Sequence, residues 1–112
     1  LSGVTSEMVV FGEETFGPVT SIYTVDSLEQ AMQLANDTSY GLSCAIFTSD
    51  ISSAMKAARK SDAGMVHINA MSIQDEPHIP FGGNGMSGLG REGTDADLEI
   101  MTRWKWITIQ VD

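Results

Sequence analysis

Positive charge is scarce in this chain, and the first half has none. The 112 residues carry six Lys and Arg against fifteen Asp and Glu, a formal net charge of −9. Every basic residue lies between Lys56 and Lys105. Phosphate backbones and anionic lipid headgroups are bound chiefly through clusters of basic side chains. We therefore expect neither nucleic acid nor an anionic membrane among the partners of this protein.

Cysteine and long apolar runs are scarce as well. Cys44 is the single cysteine, so an internal disulfide is excluded and the compartment is left open, with the cytoplasm as the simplest expectation. No apolar run approaches the roughly 18 residues of a membrane span, and the length fits one small domain. The sequence starts at Leu1 without an initiator Met, and we expect a piece of a longer polypeptide.

Glycine, by contrast, is concentrated in residues 80–93, which hold six of the eleven glycines. Two overlapping Gly-x-Gly-x-x-Gly patterns, starting at Gly83 and Gly88, match the dinucleotide fingerprint literally. That fingerprint has meaning only after a strand and at the opening of a helix, and residues 75–80 cannot form a central strand. We interpret the run as a crossing of backbone close to other backbone or to a ligand. A small nucleotide-binding protein is the weakest of the functional alternatives.

Ahead of the glycine run, strand-like and helix-like segments alternate. Strands are predicted at residues 19–25, 42–48 and 65–69, the second as a near-continuous apolar run covered on both faces. Helical segments separate them. The order β-α-β-α-β with short connections predicts an α/β fold with a parallel sheet built from two crossover units.

The helices are predicted from capping residues and apolar spacing. Asp26 and Glu29 are spaced as a capping box for the first helix, and Asp50 caps the second. Thr94 begins a third helix that ends near Thr102, with Asp97 at capping-box spacing. Apolar residues at i, i+3, i+4 and i+7 predict the buried faces: Leu28, Ala31, Met32 and Ala35 in the first helix, and Ile51, Ala54, Met55 and Ala58 in the second.

The tail alternates over residues 103–111, as a strand does. Trp104 and Trp106 lie on one predicted face, and Ile107 and Ile109 lie on the other. A strand with two largely apolar faces has no evident place in a three-stranded parallel sheet. It is either an added edge strand or an arm that pairs with another chain.

Four segments, in this order and at this spacing, resemble the C-terminal part of the aldehyde dehydrogenase superfamily. They are residues 13–19 (EETFGPV), 36–42 (NDTSYGL), 64–69 (GMVHIN) and 80–92 (PFGGNGMSGLGRE). The resemblance covers essentially the whole chain. It implies that residues 1–102 are the C-terminal part of the catalytic domain, including the glycine-rich crossing at 80–93, and that residues 103–112 form the oligomerisation strand.

The resemblance also implies an activity, the NAD- or NADP-dependent oxidation of an aldehyde to its acid through a cysteine thiohemiacetal. The tail is most similar to the branch that acts on aromatic aldehydes such as vanillin, salicylaldehyde and benzaldehyde. An aldehyde is therefore the expected small-molecule partner. A homo-oligomer is expected to form through the strand from Trp104 to Val111.

Four residues carry over from the family motifs. Glu14 matches the glutamate whose carboxylate binds the nicotinamide ribose hydroxyls, and Phe16 matches the aromatic beside the nicotinamide. Phe81 matches an aromatic of the aldehyde pocket, and Asn69 opens the loop that walls this pocket, residues 70–79, where we expect substrate preference to be set. Without the family motif, Glu14 would be interpreted as a solvated surface acid and Phe16 as a core anchor.

No catalytic residue is expected in this chain, because the family's nucleophilic cysteine, general-base glutamate and dinucleotide-binding domain lie upstream of the matched segments. Cys44 does not replace the nucleophile, since it lies in a predicted buried strand with no evident cationic or helix-terminal neighbour. The isolated 112 residues are expected to be inactive and to bind no cofactor. The competing interpretation is a non-catalytic interaction module whose arm pairs with itself or with another subunit.

The two histidines are expected to have structural or solvated positions. His67 stands in the third predicted strand, where many family members carry an aromatic residue, and its ring is expected to fill space. His78 is close to Asp75 and Glu76, but three such neighbours in one loop without a fourth ligand are usually solvated. We expect no metal site. A further departure is Gly85, where many members carry Lys.

Overall fold

The computed structural model describes residues 1–93 and 95–111 of the chain. It contains short helices and strands, and they do not alternate strictly as the sequence predicts. In chain order they are α1 (Val9–Gly12), α2 (Leu28–Asn36), β1 (Tyr40–Gly41), β2 (Ser43–Ile46), α3 (Ile51–Lys60), β3 (Met65–Ile68), β4 (Asn84–Gly85) and α4 (Asp95–Met101). Thr94, the predicted start of the last helix, lies outside the described residues.

Two small sheets organise these elements. β2 and β3 pair in parallel, with Ser43 opposite Met65 and Ile46 opposite Ile68, and α3 makes the crossover between them. β1 and β4 pair antiparallel, with Tyr40 opposite Gly85. The second sheet brings the glycine-rich segment against the β-α-β unit.

The predicted strand at residues 19–25 is wrong. These residues form no strand, although the terminal amino group of Leu1 donates to the Thr20 carbonyl at 2.7 Å and the Ile22 amide donates to the Leu1 carbonyl at 2.8 Å. A β-rich composition becomes a strand only where a neighbouring strand completes its hydrogen bonds. One parallel crossover is therefore observed in the described residues, where two were predicted.

The predicted cap of α2 is wrong by one residue. Ser27 is the N-cap, and its hydroxyl accepts from the Gln30 amide at 3.1 Å, while the Gln30 side-chain oxygen accepts from the Asp26 amide at 2.9 Å. Glu29 instead forms ion pairs with Lys56, and with Lys60 at 3.8 Å, both on α3. The hydrogen bond from Lys56 is the main reason why the pKa of Glu29 is lowered.

The predicted cap of α3 is confirmed. The carboxylate of Asp50 accepts from the backbone amides of Ser52 at 3.0 Å and Ser53 at 3.2 Å. These amides belong to the first turn and have no partner within the helix. The Ser53 hydroxyl, and then the two amides, lower the pKa of the Asp50 carboxyl. Arg59 and Lys60 lie in the last turn, as expected from the helix dipole.

Little of this chain is buried. Among the described residues, Met32, Ala54 and Ala57 are the buried apolar side chains, whereas the predicted core residues Ile51 and Met55 of α3 are 68% and 40% exposed. The predicted face of α3 is therefore partly wrong, because the helix packs through its small alanines. The predicted burial of residues 42–48 on both faces is wrong too: β2 is half-buried and Phe47 is exposed.

The molecule is also elongated. Its radius of gyration is 19.1 Å and its extents are 76 × 33 × 23 Å, whereas a compact domain of this length has a radius of about 13 Å. Residues 103–111 contribute to this shape, since they form no strand with the described residues. Trp104 and Trp106 are fully or nearly fully exposed. No helix of the described segments is long and apolar enough to cross a membrane.

The glycine-rich segment passes directly over the start of β3. A Cβ on Gly64 would clash with the Gly82 carbonyl oxygen and would lie 3.0 Å from the Gly83 Cα. Gly83 is itself buried. The expected crossing of backbone past backbone is present, and Gly64 is the residue that permits it.

Gly64→Ala is therefore expected to destabilise the full-length protein by about 1–3 kcal/mol, the usual cost of overpacking. The matched control is Gly12→Ala in α1, where an added Cβ meets nothing within 4 Å, and this change should leave stability unchanged or slightly raised. Chemical denaturation measures both. Equal denaturation midpoints for the two variants would mean that the backbone at Gly64 is not closely packed against the glycine-rich segment.

Candidate functional site

Arg91 holds the glycine-rich segment in shape. Its guanidinium donates to the carbonyl oxygens of Gly83 at 2.8 Å and Gly90 at 2.7 Å, and to Oδ1 of Asn84 at 2.7 Å. The Asn84 amide in turn donates to the Asp62 carbonyl at 2.7 Å. A planar group with several fixed donors suits such a set of carbonyls. The segment is thus attached to the loop that precedes β3.

The same segment places Phe81. The backbone of Phe81 pairs with that of Glu92 through two hydrogen bonds of 2.8 Å, which form an isolated antiparallel bridge. Ser87 attaches the segment to β1, because its hydroxyl accepts from the Gly41 amide at 2.9 Å. Phe81 is therefore held from both sides of the glycine run.

A cavity of about 270 Å³ lies between β3 and the loop that leads to Phe81. Phe81, His67 and the loop residues Gln74, Asp75 and Glu76 line it. The structure thus brings Phe81 together with part of the loop in which we expect substrate preference to be set. An aromatic wall with a few polar groups suits a small aromatic ligand.

His67 has a position that the sequence did not indicate. Its Nε2 is buried and has no hydrogen-bond partner among the described residues, and the ring lines the cavity with Phe81. A buried polar atom without a partner is unusual. The signal in the sequence is a polar ring in an otherwise apolar strand, which alone predicts no more than a space-filling side chain.

A second cavity, of about 370 Å³, contains Glu14 in its wall. Cys44 and a second acidic residue, Asp62, line it too. No Lys or Arg of the described residues lines this cavity. Cys44 is half-buried, so its predicted position in a strand covered on both faces is wrong.

Glu14 and Phe16 are not brought into one cavity. Glu14 is exposed and takes part in neither of the ion pairs that the described residues form, so both carboxylate oxygens are available to a ligand. Phe16 is 90% exposed, and the turn that follows it contains Gly17 at φ 123°. The structure therefore leaves both side chains open to a ligand but does not bring them together.

Asn69 lies outside both cavities. Its φ is 55°, and its side-chain amide is bonded to the backbone of Thr48. It stands where β3 ends and residues 70–79 begin. Its place at the opening of the loop is as predicted, but the amide is directed toward β2 and the cavity is walled by later residues.

The loop histidine and its acidic neighbours lie in an exposed part of the chain. Residues 71–80, which include His78, Asp75 and Glu76, are exposed. In residues 1–93 and 95–111, no three His, Cys, Asp or Glu side chains are arranged to hold a metal ion.

The fold corresponds to a known class of enzyme. The chain matches the aldehyde dehydrogenase family over residues 1–107, and it belongs to that family.

Among curated proteins, it is 46% identical over 110 residues to vanillin dehydrogenase of Pseudomonas sp. strain HR199. It is also 46% identical over 107 residues to the NAD+-dependent benzaldehyde dehydrogenase of Pseudomonas putida. These matches cover 98% and 95% of this chain but 23% and 22% of the relatives. The chain thus spans about a quarter of the length of these relatives.

Solved structures agree with this membership. A salicylaldehyde dehydrogenase from Pseudomonas putida G7, complexed with salicylaldehyde, superposes with a TM-score of 0.93 at 37% identity, over 98% of this chain and 23% of that one. A mutant of the P. syringae indole-3-acetaldehyde dehydrogenase, in complex with NAD+ and IAA, superposes with a TM-score of 0.80 at 41% identity. This match covers 88% of this chain and 20% of that one. The predicted α/β fold of this family is confirmed.

Proposed function

We propose that this chain is the C-terminal part of an NAD- or NADP-dependent dehydrogenase that oxidises an aromatic aldehyde to its acid. The observation that carries the proposal is the aromatic-walled cavity beside Phe81, in a chain 46% identical to a vanillin and a benzaldehyde dehydrogenase. The chain covers about a quarter of such enzymes. Further chain is needed to complete the site.

In this proposal, the described residues bind and orient. The free carboxylate of Glu14 accepts hydrogen bonds from the two ribose hydroxyls, and the exposed ring of Phe16 packs beside the nicotinamide. Two hydrogen bonds to one sugar fix its rotation as well as its position. A bound nicotinamide cofactor would supply the hydride acceptor that the oxidation requires. The cysteine that forms the thiohemiacetal is supplied by chain beyond these 112 residues.

Phe81 and the loop of residues 70–79 contribute to the wall of the aldehyde pocket. An apolar wall excludes water and holds an aromatic ring by contact area. Residues 103–112 are proposed as the oligomerisation strand, since both Trp side chains are exposed. The placement in the cytoplasm stays a prediction.

The alternative function is a non-catalytic interaction module. The observation that favours it is the same exposed tail, together with the small buried core. The two functions differ in what Glu14 does. A ribose-binding carboxylate affects turnover, whereas a surface acid on an interaction module does not.

Glu14→Gln in the full-length enzyme tests this difference. Loss of a charge-assisted hydrogen bond costs about 1.5–3 kcal/mol, so we expect turnover to fall roughly 10- to 150-fold. The aldehyde KM should change little, because the change affects the cofactor. Steady-state kinetics with benzaldehyde measure both constants.

Glu13→Gln is the matched control, since it removes the same charge one residue earlier. Glu13 is exposed and does not line the cavity that contains Glu14. It should leave turnover within about twofold, the range typical of a surface substitution. Equal turnover in wild type and Glu14→Gln would return Glu14 to the role of a surface acid.

A further inference from the structure

Asn69 has a backbone conformation that asparagine adopts at a cost. At φ 55°, it is the one non-glycine residue with a positive φ among the described residues. Asparagine tolerates this left-handed region better than most residues, and glycine tolerates it best. The turn alone would therefore favour glycine, and the side chain of Asn69 needs a separate explanation.

That explanation is a bidentate contact with the chain that continues β2. Oδ1 of Asn69 accepts from the Thr48 amide at 2.9 Å, and Nδ2 donates to the Thr48 carbonyl at 3.0 Å. The backbone N–H of Asn69 also donates to the Ile46 carbonyl at 2.8 Å. The side-chain amide thus takes the place of a peptide group and extends the parallel ladder after the β3 backbone has turned away.

Thr48 is itself held at the start of α3. Its hydroxyl accepts from the Asp50 amide at 3.1 Å, and Asp50 is the N-cap of that helix. The contact of Asn69 is therefore made with a fixed part of the β-α-β unit.

A second bond holds the first residues of the loop. The Ser43 hydroxyl of β2 donates to the Ser72 carbonyl at 2.7 Å. Between and beyond these two contacts the loop is open, since Met71 and Ile73 are 66% and 85% exposed. The start of the loop is thus held at two points, the Asn69 side chain and the Ser72 carbonyl.

We propose that Asn69 is a positioning residue, whose amide contact with Thr48 sets the path of residues 70–79 and through it the width of the cavity in front of Phe81. Gln74, Asp75 and Glu76, which line that cavity with Phe81, lie five to seven residues beyond it. The part of the inference that concerns aldehyde selectivity rests on the proposed function.

The contact requires an amide. Glycine at position 69 would keep the backbone conformation but lose both bonds. Aspartate would keep the acceptor for the Thr48 amide but direct an oxygen at the Thr48 carbonyl, where Nδ2 now donates. We therefore expect Asn69→Gly to release the loop without strain and Asn69→Asp to repel Thr48.

The test uses the full-length protein and two measurements. Hydrogen exchange is followed in peptides that contain Thr48 and residues 70–79, and kcat/KM is compared for benzaldehyde and a ring-substituted benzaldehyde. In Asn69→Gly, exchange at both segments should rise about tenfold, since two stabilising hydrogen bonds are lost. The ratio of the two kcat/KM values should change about fivefold or more, because a change in the contacts of a pocket with its substrate can alter discrimination by at least that factor.

Asn36→Ala is the matched control. The Asn36 amide also makes two backbone contacts, donating to the Lys60 carbonyl at 2.7 Å and accepting from the Asp62 amide at 3.2 Å. Its loss should leave the exchange of Thr48 and of residues 70–79 as in the wild type.

Two results would overturn the proposal. Unchanged exchange at Thr48 in Asn69→Gly would show that the amide contact is not made. Faster exchange with an unchanged selectivity ratio would show that the contact does not set the pocket. The exchange measurement needs no turnover, so failure of the contact is distinguished from failure of the proposed enzyme function.

Discussion

The 112-residue chain on its own is expected to show no aldehyde dehydrogenase turnover and no measurable affinity for NAD. In the proposed function, Glu14 and Phe16 contact only the nicotinamide end of the cofactor, and Phe16 is 90% exposed. Contacts with one ribose and one ring do not offset the translational and rotational freedom that a dinucleotide loses on binding. Cys44 is not expected to supply the missing chemistry, because no Lys or Arg of the described residues lines its cavity.

The measurement is NADH formation by the purified chain with benzaldehyde, together with calorimetric titration of NAD. The full-length enzyme is the positive control. Cys44→Ser in the isolated chain is the control that tests whether any turnover comes from Cys44. NADH formation that Cys44→Ser abolishes would contradict the expectation, since it would make Cys44 the nucleophile.

Removal of residues 104–112 is expected to abolish self-association of the chain. The strand from Trp104 to Val111 pairs with a second copy in this hypothesis. Trp104 and Trp106 are 101% and 90% exposed, and Ile107, Ile109 and Val111 are 72–88% exposed. Burying both Trp side chains would contribute several kcal/mol, at about 25 cal/mol per Å², against the entropy of association.

The competing position is an antiparallel edge on the chain's own sheet, and the described residues show no such pairing for 103–111. Sedimentation of the chain with and without residues 104–112 measures the association. Leu89→Ser is the matched control, because Leu89 is 100% exposed but lies outside the tail. A monomer at tens of micromolar, with Trp106 shielded from a quencher, would contradict the intersubunit strand.

The local elements of this fold were largely predictable. Asp50 indicated the start of α3, because a carboxylate before an apolar-periodic segment has few other uses. The β2 and β3 strands were found within a residue or two, since short apolar runs bounded by turns are typical of strands. Residues 19–25 show the limit: their composition favours a strand, and the pairing neighbour cannot be read from composition.

Burial was predicted less well, for a physical reason. Ile51 and Phe47 are apolar at positions that suit a core, yet they are 68% and 71% exposed. Apolar spacing indicates which face of an element needs cover, but not whether the same chain supplies that cover. A chain that spans about a quarter of its relatives leaves such faces open.

The candidate site was predicted in its parts and missed in its geometry. The motifs indicated Glu14 and Phe81, and the glycine run indicated the crossing. The bond between Asn69 and Thr48 joins residues 21 positions apart, and the cavity joins His67 to loop residues seven to nine positions further along the chain. Side-chain contacts over such separations leave no local pattern in a sequence.

The two sheets differ in the number of residues between their paired strands, and this affects the order in which the sheets can form. Ser43 pairs with Met65 within one β-α-β unit, whereas Tyr40 pairs with Gly85 across the whole of that unit. Closing the loop of twice the length costs about 0.6 kcal/mol more in chain entropy. During synthesis, every residue of the parallel pair leaves the ribosome before Gly85 does. The wall that contains Phe81 is thus the last part of the cavity to be synthesised, and a nascent chain stopped before it lacks the segment that crosses the start of β3.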